Sequence, residues 1–465
     1  MKVVFISSEV FPFEKTGGLA DVCGALPLAL EKLGVEVSIF MPRYKCVDSC
    51  GYELTQLNKS LFMTTIGENV TVYFVEHEEY FNREGIYGDS EGDYPDNVAR
   101  FKYFCMKSLE HIKQLHIKVD VVHCHDWHAA LVPVYLKHRF HKDDFFKKTK
   151  SLFTIHNLAY QGVFPKEEFA TLDLDDSLYE SYFEFFNQVD FMKAGILSCD
   201  GLSTVSPSYA EEMQTERYGC GLESVVESRS EDLVGILNGV DVNIWDPSKD
   251  SLIAQTYNVD NLAGKDKNKV KLQKTYKLPV NKTVPLFGFV GRLCHQKGLD
   301  LICESMDILG DLNMQMVFLG VGETKYQDVL LKMAEKYPEK VCVDITFDEK
   351  KAHQIYAGSD VFLIPSIFEP CGLSQMISLR YGTLPLVYHT GGLADTVKPY
   401  DKNGNGFVFY MYENSSFITA VKDAVEVFHQ EDVFKELVKK AFTYDFIWEN
   451  SAKQYLYVYE KLTVE

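Results

Sequence analysis

The hexapeptide Thr-Gly-Gly-Leu-Ala-Asp occurs twice in this chain of 465 residues, at 16–21 and again at 390–395. Each copy stands between residues that predict a strand and residues that predict a helix. A glycine-rich turn in that position presents bare backbone N–H groups, which suit a phosphate. Two matching turns near opposite ends of the chain therefore predict two domains that hold one ligand between them.

Strand and helix patterns alternate along both halves of the chain. Val3–Ser7 predicts a first strand, the segment near Ala20–Leu33 a helix, and Val35–Met41 a second strand, which together form a βαβ unit with a parallel sheet. The same alternation restarts after a linker near Trp245-Asp246-Pro247. We therefore predict an α/β fold of two Rossmann-like, doubly wound domains that face each other across a cleft.

The predicted domains are residues 1–244 and 245–445, with a final helix, 446–465, that packs back on the first domain. Two stretches of the first domain do not fit a plain βαβ repeat. Residues 61–66 and 70–76 predict a hairpin packed beside the sheet. The acidic, aromatic segment 165–190 is compatible with either a helix or a flap.

Charge and cysteine content restrict the partners and the compartment. The formal net charge of −20 argues against nucleic acid, which needs a basic face, but allows a small phosphorylated ligand. Eleven cysteines without a CxxC pair indicate free thiols in a reducing compartment. The N-terminal apolar run is too short for a signal peptide and no run is long enough for a membrane span. We expect a cytoplasmic protein, or a plastid stromal one only if a transit peptide has been removed.

Candidate functional residues follow predicted strands, at the edge where doubly wound sheets bind ligands. They are Lys15 with Gly17-Gly18, Asp126, His156-Asn157, Arg292, Lys297, Glu369 and Thr390–Leu393. Arg292 and Lys297 beside a glycine-rich turn would suit a diphosphate, since Arg can bind it with two hydrogen bonds.

Other cofactor and metal sites are disfavoured. The first turn is not GxGxxG, and Pro42-Arg43-Tyr44 stands where a nicotinamide-binding fold would carry an acidic residue. The cluster of His123, His125, Asp126 and His128 has no distal set of ligands with metal spacing. Asp173-Leu174-Asp175 predicts solvated carboxylates near a helix N-terminus. We predict no metal and no cofactor.

Longer motifs carry a family resemblance across essentially the whole chain. They are KTGGLAD at 15–21, HCHDWHA at 123–129, TIHNLAYQG at 154–162, ILNGVD at 236–241, GRLCHQKG at 291–298, FEPCGLSQ at 368–375 and HTGGLAD at 389–395. In these motifs the chain resembles bacterial glycogen synthases and plant-type starch synthases, which use ADP-glucose and have the two-domain GT-B fold. The resemblance implies a retaining transfer of glucose from ADP-glucose to the non-reducing end of an α-1,4-glucan, without a cofactor.

The resemblance also implies a role for individual residues. The implied catalytic residues are Glu369, His156, Arg292, Lys297 and Asp126. The implied donor-binding residues are Lys15, Gly18, Asp21, Arg292, Lys297, Phe347, Thr390, Gly391, Gly392 and Leu393. The implied acceptor-binding residues are Tyr94, Trp127, Asn157, Tyr160 and Asn238.

Two positions depart from the wider pattern, and two alternatives stay open. Ile377 stands at the second position of the E-x7-E signature, and His389 replaces the usual serine before the second TGGL. A GT-B transferase that uses a UDP-sugar would share most of these residues. A non-catalytic glucan-binding scaffold would share the fold. The sequence does not separate glycogen from starch as the product, nor does it indicate an oligomeric state.

Overall fold

The computed structural model describes residues 1–464 and divides into two compact units. The first unit comprises residues 1–239 with 448–464, and the second comprises residues 240–447. The predicted boundaries at 244/245 and 445/446 lie within five residues of these junctions. The assignment of acceptor binding to one unit and donor binding to the other stays a prediction.

The strands alternate with helices through both units. In chain order they are β1 (Lys2–Ile6), β2 (Glu36–Pro42), β3 (Thr55–Asn58), β4 (Leu61–Ile66), β5 (Val70–Val75), β6 (Gly88–Asp89), β7 (Gly92–Asp93), β8 (Val121–His125), β9 (Lys150–Ile155), β10 (Val163–Pro165), β11 (Glu184–Phe185), β12 (Gln188–Asp190), β13 (Gly201–Thr204), β14 (Leu233–Gly235), β15 (Leu286–Val290), β16 (Gln315–Leu319), β17 (Val341–Asp344), β18 (Val361–Ile364), β19 (Leu384–Tyr388) and β20 (Phe407–Phe409).

The helices connect these strands and end the chain. They are α1 (Gly18–Lys32), α2 (Glu78–Phe81), α3 (Asn97–Gln114), α4 (Asp126–Ala129), α5 (Leu131–His138), α6 (Phe191–Ser198), α7 (Pro207–Glu212), α8 (Glu223–Glu227), α9 (Ala263–Thr275), α10 (Leu299–Glu304), α11 (Met306–Asp311), α12 (Thr324–Lys336), α13 (Glu349–Gly358), α14 (Ser374–Arg380), α15 (Gly391–Thr396), α16 (Asn414–His429), α17 (Glu431–Ala441) and α18 (Trp448–Val464). Short 3-10 turns lie at Lys45–Ser49, Lys166–Leu172, His295–Lys297 and Tyr400–Lys402, and a π turn lies at Tyr179–Phe183.

The two main sheets share one strand order. The first runs β14-β13-β9-β8-β1-β2-β5 with all strands parallel, and β4 and β3 extend it in antiparallel fashion. The second runs β17-β16-β15-β18-β19-β20, all parallel. In each unit the chain starts at a central strand, builds outward on one side and then crosses to the other. The order therefore reverses between β1 and β8 in the first unit, and between β15 and β18 in the second.

Continuous apolar runs account for the central strands. Every residue of β8, β16 and β19 is buried, as expected when helices cover both faces of a parallel sheet. Helix α12 instead buries one face, with Tyr326, Leu330 and Met333 at helical spacing.

Three local predictions about the first unit need correction. The hairpin of β4 and β5 does not pack beside the sheet but extends it. Strand β5 pairs in parallel with β2, and this pairing satisfies the backbone N–H and C=O groups that β2 would expose as an edge strand. The sequence pattern predicts a helix from Arg100 to Gln114, and α3 begins three residues earlier, at Asn97. Residues 165–190 form neither one helix nor a simple flap; they contain two short helical turns and part of the three-stranded sheet β10-β12-β11.

The last helix, α18, packs in the first unit against α1, β8 and β9. Its side chains Tyr455 and Tyr459 are fully buried. The hydroxyl of Tyr459 lies 2.7 Å from Nδ1 of His123 on β8, and Nε2 of the same ring lies 2.5 Å from the hydroxyl of Thr154 on β9. The helix thus adds a polar anchor to its apolar contact with the sheet.

Residues 1–464 contain neither a membrane-spanning helix nor a disulfide bond. Within residues 1–464, no helix is both long and apolar enough to cross a bilayer. All eleven cysteines are free thiols, and five of them are buried. Burial raises the pKa of Cys199 to about 12, so that this thiol behaves as a small apolar side chain.

We predict that Tyr459→Phe lowers the free energy of unfolding by about 1–3 kcal/mol, because it removes a hydrogen bond to a buried histidine. Tyr457→Phe on the same helix is the matched control, since Tyr457 is 59% exposed, and its effect should stay within about 0.5 kcal/mol. Urea unfolding followed by circular dichroism measures both. Equal effects of the two substitutions would contradict an anchoring role for the Tyr459 hydroxyl.

Candidate active site

The second unit brings a lysine and a carboxylate together where its strand order reverses. Lys297 stands in the turn after β15, and Glu369 stands in the turn after the neighbouring strand β18. Nζ of Lys297 lies 2.6 Å from Oε2 of Glu369. The same carboxylate oxygen accepts a hydrogen bond of 2.8 Å from the hydroxyl of Ser366. Glu369 is buried and Lys297 is partly exposed, so the pair has one face toward solvent.

The second copy of the hexapeptide follows the next strand, β19, and packs against the turn that carries Glu369. A Cβ on Gly391, whose φ is +43°, would lie 2.2 Å from the carbonyl oxygen of Glu369. A Cβ on Gly392 would lie 2.1 Å from the carbonyl oxygen of Cys371. Only glycine permits so close an approach of the two backbones.

The N–H groups of this turn are largely engaged within the unit. The N–H of Gly392 donates to the carbonyls of Glu369 and Pro370, at 3.1 and 3.2 Å, and that of Leu393 donates to Thr390 at 3.0 Å. The prediction of bare N–H groups is therefore wrong for Gly392 and Leu393, because neighbouring carbonyls take them. The assignment of Thr390 to Leu393 to donor binding stays a prediction.

Gln296, which the sequence pattern did not indicate, links Arg292 to the Glu369 turn. Its side-chain oxygen accepts from Nη2 of Arg292 at 3.2 Å, and its carbonyl accepts from the N–H of Ile367 at 3.0 Å. Arg292 is exposed, and the ring of Phe347 is 90% exposed. Both side chains are therefore accessible to solvent, and their contact with a donor stays a prediction.

In the first unit, the first copy of the hexapeptide is bound by a carboxylate that sequence reasoning missed. Glu9 follows β1 and is almost fully buried. Its Oε2 accepts from the N–H groups of Thr16 and Gly17, at 2.6 and 3.2 Å, and its Oε1 accepts from the hydroxyls of Thr16 and Tyr87, at 2.7 and 2.6 Å. The prediction of bare N–H groups is thus also wrong for Thr16 and Gly17. An acidic residue three positions after the end of an apolar strand was the available signal.

The rest of this turn leaves room around its glycines. A Cβ on Gly17 or Gly18 would meet nothing within 4 Å. Beside them, Nζ of Lys15 lies 2.6 Å from Oδ1 of Asp21. The two identical hexapeptides therefore use glycine differently: Gly391 and Gly392 fill tight internal contacts, whereas Gly17 and Gly18 border open space.

Asp126 joins the turns after β8 and β9. It adopts a left-handed conformation, with φ of 54°, and its Oδ1 accepts from the N–H of His156 at 2.7 Å. The N–H of Asn157 also interacts with this carboxylate. Burial raises the pKa of Asp126 to about 7, against the lowering effect of these N–H groups. A carboxyl group with such a pKa can carry or release a proton near neutral pH.

The ring of His156 is buried and uncharged at neutral pH. Its Nε2 lies 3.0 Å from Nδ1 of His125, so that one ring donates to the other. Burial lowers the pKa of His156 to about 3 and holds that of His125 well below its usual value. The ring can serve as a hydrogen-bond partner but not as a fixed cation. Within residues 1–464, no group of three or more His, Cys, Asp or Glu side chains is arranged to hold a metal ion.

The remaining predicted acceptor residues differ in exposure. Trp127 is buried, and a Cβ on Gly162 would lie 2.5 Å from its ring, whereas Tyr160 is 54% exposed. Asn238 is buried, and its Oδ1 has no hydrogen-bond partner among residues 1–464, which marks it as an available acceptor. The ring of Tyr94 is flanked by the guanidinium groups of two arginines, at 4.7 and 4.9 Å. Contact of Trp127, Tyr160, Asn238 and Tyr94 with a glucan stays a prediction.

Comparison with known proteins decides the family. Residues 2–228 match the family described as the starch synthase catalytic domain, and residues 271–440 match glycosyl transferases group 1. The glycogen synthase of Thermotoga maritima is 44% identical to this chain over 99% of both chains. This chain belongs to the glycogen and starch synthase family.

Further members of the glycogen and starch synthase family agree. The glycogen synthase of Thermosipho melanesiensis is 43% identical over 99% of both chains. The catalytic domain of starch synthase IV from Arabidopsis thaliana, solved with ADP and acarbose, superposes with a TM-score of 0.90 at 32% identity, covering 100% of this chain and 99% of that one. The two α/β domains thus match the GT-B fold, and the protein is a glucosyltransferase of glucan synthesis with nucleotide-sugar and glucan substrates.

We predict that alanine acts oppositely at the two hexapeptides. Gly392→Ala should lower the free energy of unfolding by about 1–3 kcal/mol or more, because its Cβ meets a backbone oxygen that cannot easily move. Gly18→Ala should change stability by less than about 1 kcal/mol, on the stabilising side, because the position is open and helical. Thermal and urea unfolding of both variants test this, and a large loss of stability in Gly18→Ala would show that the space around Gly18 is not open.

Proposed function

We propose that this glucosyltransferase takes glucose from ADP-glucose and adds it, with retention of configuration, to the non-reducing end of an α-1,4-glucan such as glycogen or starch. The observation that carries the proposal is the distance of 2.6 Å between Lys297 and Glu369. A nucleotide sugar needs a cation for its diphosphate and a hydrogen-bond acceptor for its sugar hydroxyls, side by side. The lysine and the carboxylate provide these two functions on adjacent strand ends.

On the donor side, positive charge would stabilise the leaving diphosphate. Arg292, Lys297 and Lys15 are proposed to contact the phosphates, and Phe347 the adenine. Gly18 and Asp21, with Thr390 to Leu393, would complete the donor contacts. Negative charge grows on the diphosphate as the anomeric bond breaks, so that cations held in place before reaction favour the transition state.

On the acceptor side, the glucan is proposed to contact Tyr94, Trp127, Asn157, Tyr160 and Asn238. The C1–O bond to the diphosphate breaks, the acceptor 4-hydroxyl oxygen bonds to C1 on the same face, and its proton passes to the departing diphosphate. His156, uncharged and fixed through Asp126 and His125, would orient the sugar beside the reacting carbon. Glu369 would bind the hydroxyls of the transferred glucose.

We further propose that the nucleotide of the donor is ADP. KTGGLAD at 15–21 supports ADP-glucose, as does the Arabidopsis relative solved with ADP. Eleven free thiols support a reducing compartment, and we propose the cytoplasm.

The decisive assay measures transfer of radiolabelled glucose to glycogen from ADP-glucose and, separately, from UDP-glucose. We expect transfer from ADP-glucose, with loss of at least about 10²-fold in Glu369→Ala. Transfer from UDP-glucose alone would overturn the proposed donor. Glycogen binding without transfer from either sugar would instead support a non-catalytic scaffold.

We predict that Lys297→Ala lowers kcat by at least about 10²-fold, the scale for one lost group that stabilises charge in the transition state. Lys325→Ala is the matched control, because Lys325 also pairs with a glutamate, at 2.8 Å, but its side chain is 63% exposed. Its kcat should stay within about twofold of the wild type. Steady-state kinetics at saturating ADP-glucose, with thermal unfolding as a test of folding, measure both, and near-normal kcat in Lys297→Ala would refute the assignment.

A further inference from the structure

An exposed phenylalanine occupies the tip of a tight hairpin in the first unit. β11 pairs with β12 through Glu184↔Val189 and Phe185↔Gln188, which leaves Phe186 and Asn187 as a two-residue loop. The side chain of Phe186 is 78% exposed, more than any other aromatic side chain in the described part of the first unit. Because most of its surface stays in contact with solvent, this ring contributes little hydrophobic stabilisation to the folded chain.

The backbone at Phe186 is also unfavourable for this residue type. The φ angles of Phe186 and Asn187 are 48° and 63°, both positive, as type I′ turns require. Asparagine and glycine are preferred at such positions, and a bulky residue there carries a conformational cost. A position that combines strain with exposure points to a role outside folding.

A second ring and polar side chains surround the tip. A Cβ on Gly221 would lie 3.0 Å from Cζ of Phe185 and 3.5 Å from Cε2 of Phe186, so both rings lie beside the Gly221 backbone. The two ring centroids are 4.7 Å apart. The side chains of Asn187 and Gln188 are exposed next to them. Apolar ring faces bordered by amides form a surface that suits a sugar, which has an apolar C–H face and a rim of hydroxyls.

This surface is joined directly to the loop that carries Tyr160. Strand β10, which follows that loop, pairs with β12 through Pro165↔Gln188, next to the hairpin tip. The side-chain amide of Gln161 donates to the carbonyl of Cys220 at 3.0 Å, one residue before Gly221. Tyr160 and the two phenylalanines therefore belong to one connected part of the first unit.

We propose that Phe186, with Phe185, stacks on glucose units of the α-1,4-glucan at a distance along the chain from the reacting end. The inference rests on the proposed acceptor role of the loop at Asn157 and Tyr160. A polymeric substrate makes such a contact useful, because each added sugar contact raises the affinity for long chains without changing the reacting end. An acceptor that ends before the hairpin tip gains nothing from this contact.

The test compares Phe186→Asn with the wild type and with Tyr457→Ala, which removes another exposed ring, 59% exposed on α18. Asparagine fits the positive φ, so the Phe186 variant should unfold at or above the wild-type temperature. Affinity electrophoresis in glycogen gels and steady-state kinetics with glycogen and with maltotriose give the readouts. We expect glycogen affinity to fall about 3- to 10-fold in Phe186→Asn, with maltotriose kinetics and Tyr457→Ala unchanged.

Each other outcome overturns the inference. Unchanged glycogen affinity shows that the ring does not bind glucan. Equal losses with glycogen and maltotriose place Phe186 in the reacting site or in its support. A lower mass of the variant in light scattering shows that the ring contacts a second copy of the chain. Failure of the proposed function is seen separately, as a wild type that binds glycogen but transfers no glucose.

Discussion

The order of the parallel strands is the constraint on which the candidate site depends. In each unit the chain begins at a central strand and later crosses to its other side, so that two adjacent strands send their following turns in opposite directions. Glu9 and Asp126 follow one such pair of strands, and Lys297 and Glu369 follow the other. Residues separated by more than 70 positions thereby become neighbours. The candidate side chains of each unit therefore lie in the turns where its strand order reverses.

Much of this could be predicted from the sequence. Apolar runs marked the main strands, because buried parallel strands need them, and the residues after those runs gave most of the candidate side chains. The duplicated hexapeptide correctly pointed to two related halves. What the sequence could not show was how the N–H groups of each turn are satisfied. The N–H groups of Thr16 and Gly17 depend on Glu9, and that of Gly392 depends on the carbonyls of residues 369 and 370; none of these partners lies within the motif.

Contacts between distant segments also explain the features that the sequence did not indicate. The strand β5 joins the sheet because β2 offers an unpaired edge, which no local pattern records. The unpaired oxygen of Asn238, the neutral state of His156 and the raised pKa of Asp126 all result from burial by distant segments. The strained tip at Phe186 follows from a two-residue loop whose length is set by strand pairing. The residue types determine which chemical groups are present, and packing determines the protonation states and the exposure of those groups.

The ion pair of Lys297 and Glu369 has a consequence for selectivity among anions. An anion without a hydrogen-bond donor that drew the lysine toward itself would take the cation away from a buried carboxylate and offer that carboxylate nothing in return, which is costly. A sugar diphosphate brings an anion for the lysine and hydroxyl donors for the glutamate in one molecule, so that both partners are replaced together. In the proposed function, the closed pair would therefore act as a filter: it would discriminate against anions that carry no hydrogen-bond donor for Glu369 and yield to a ligand that carries both halves of the required chemistry.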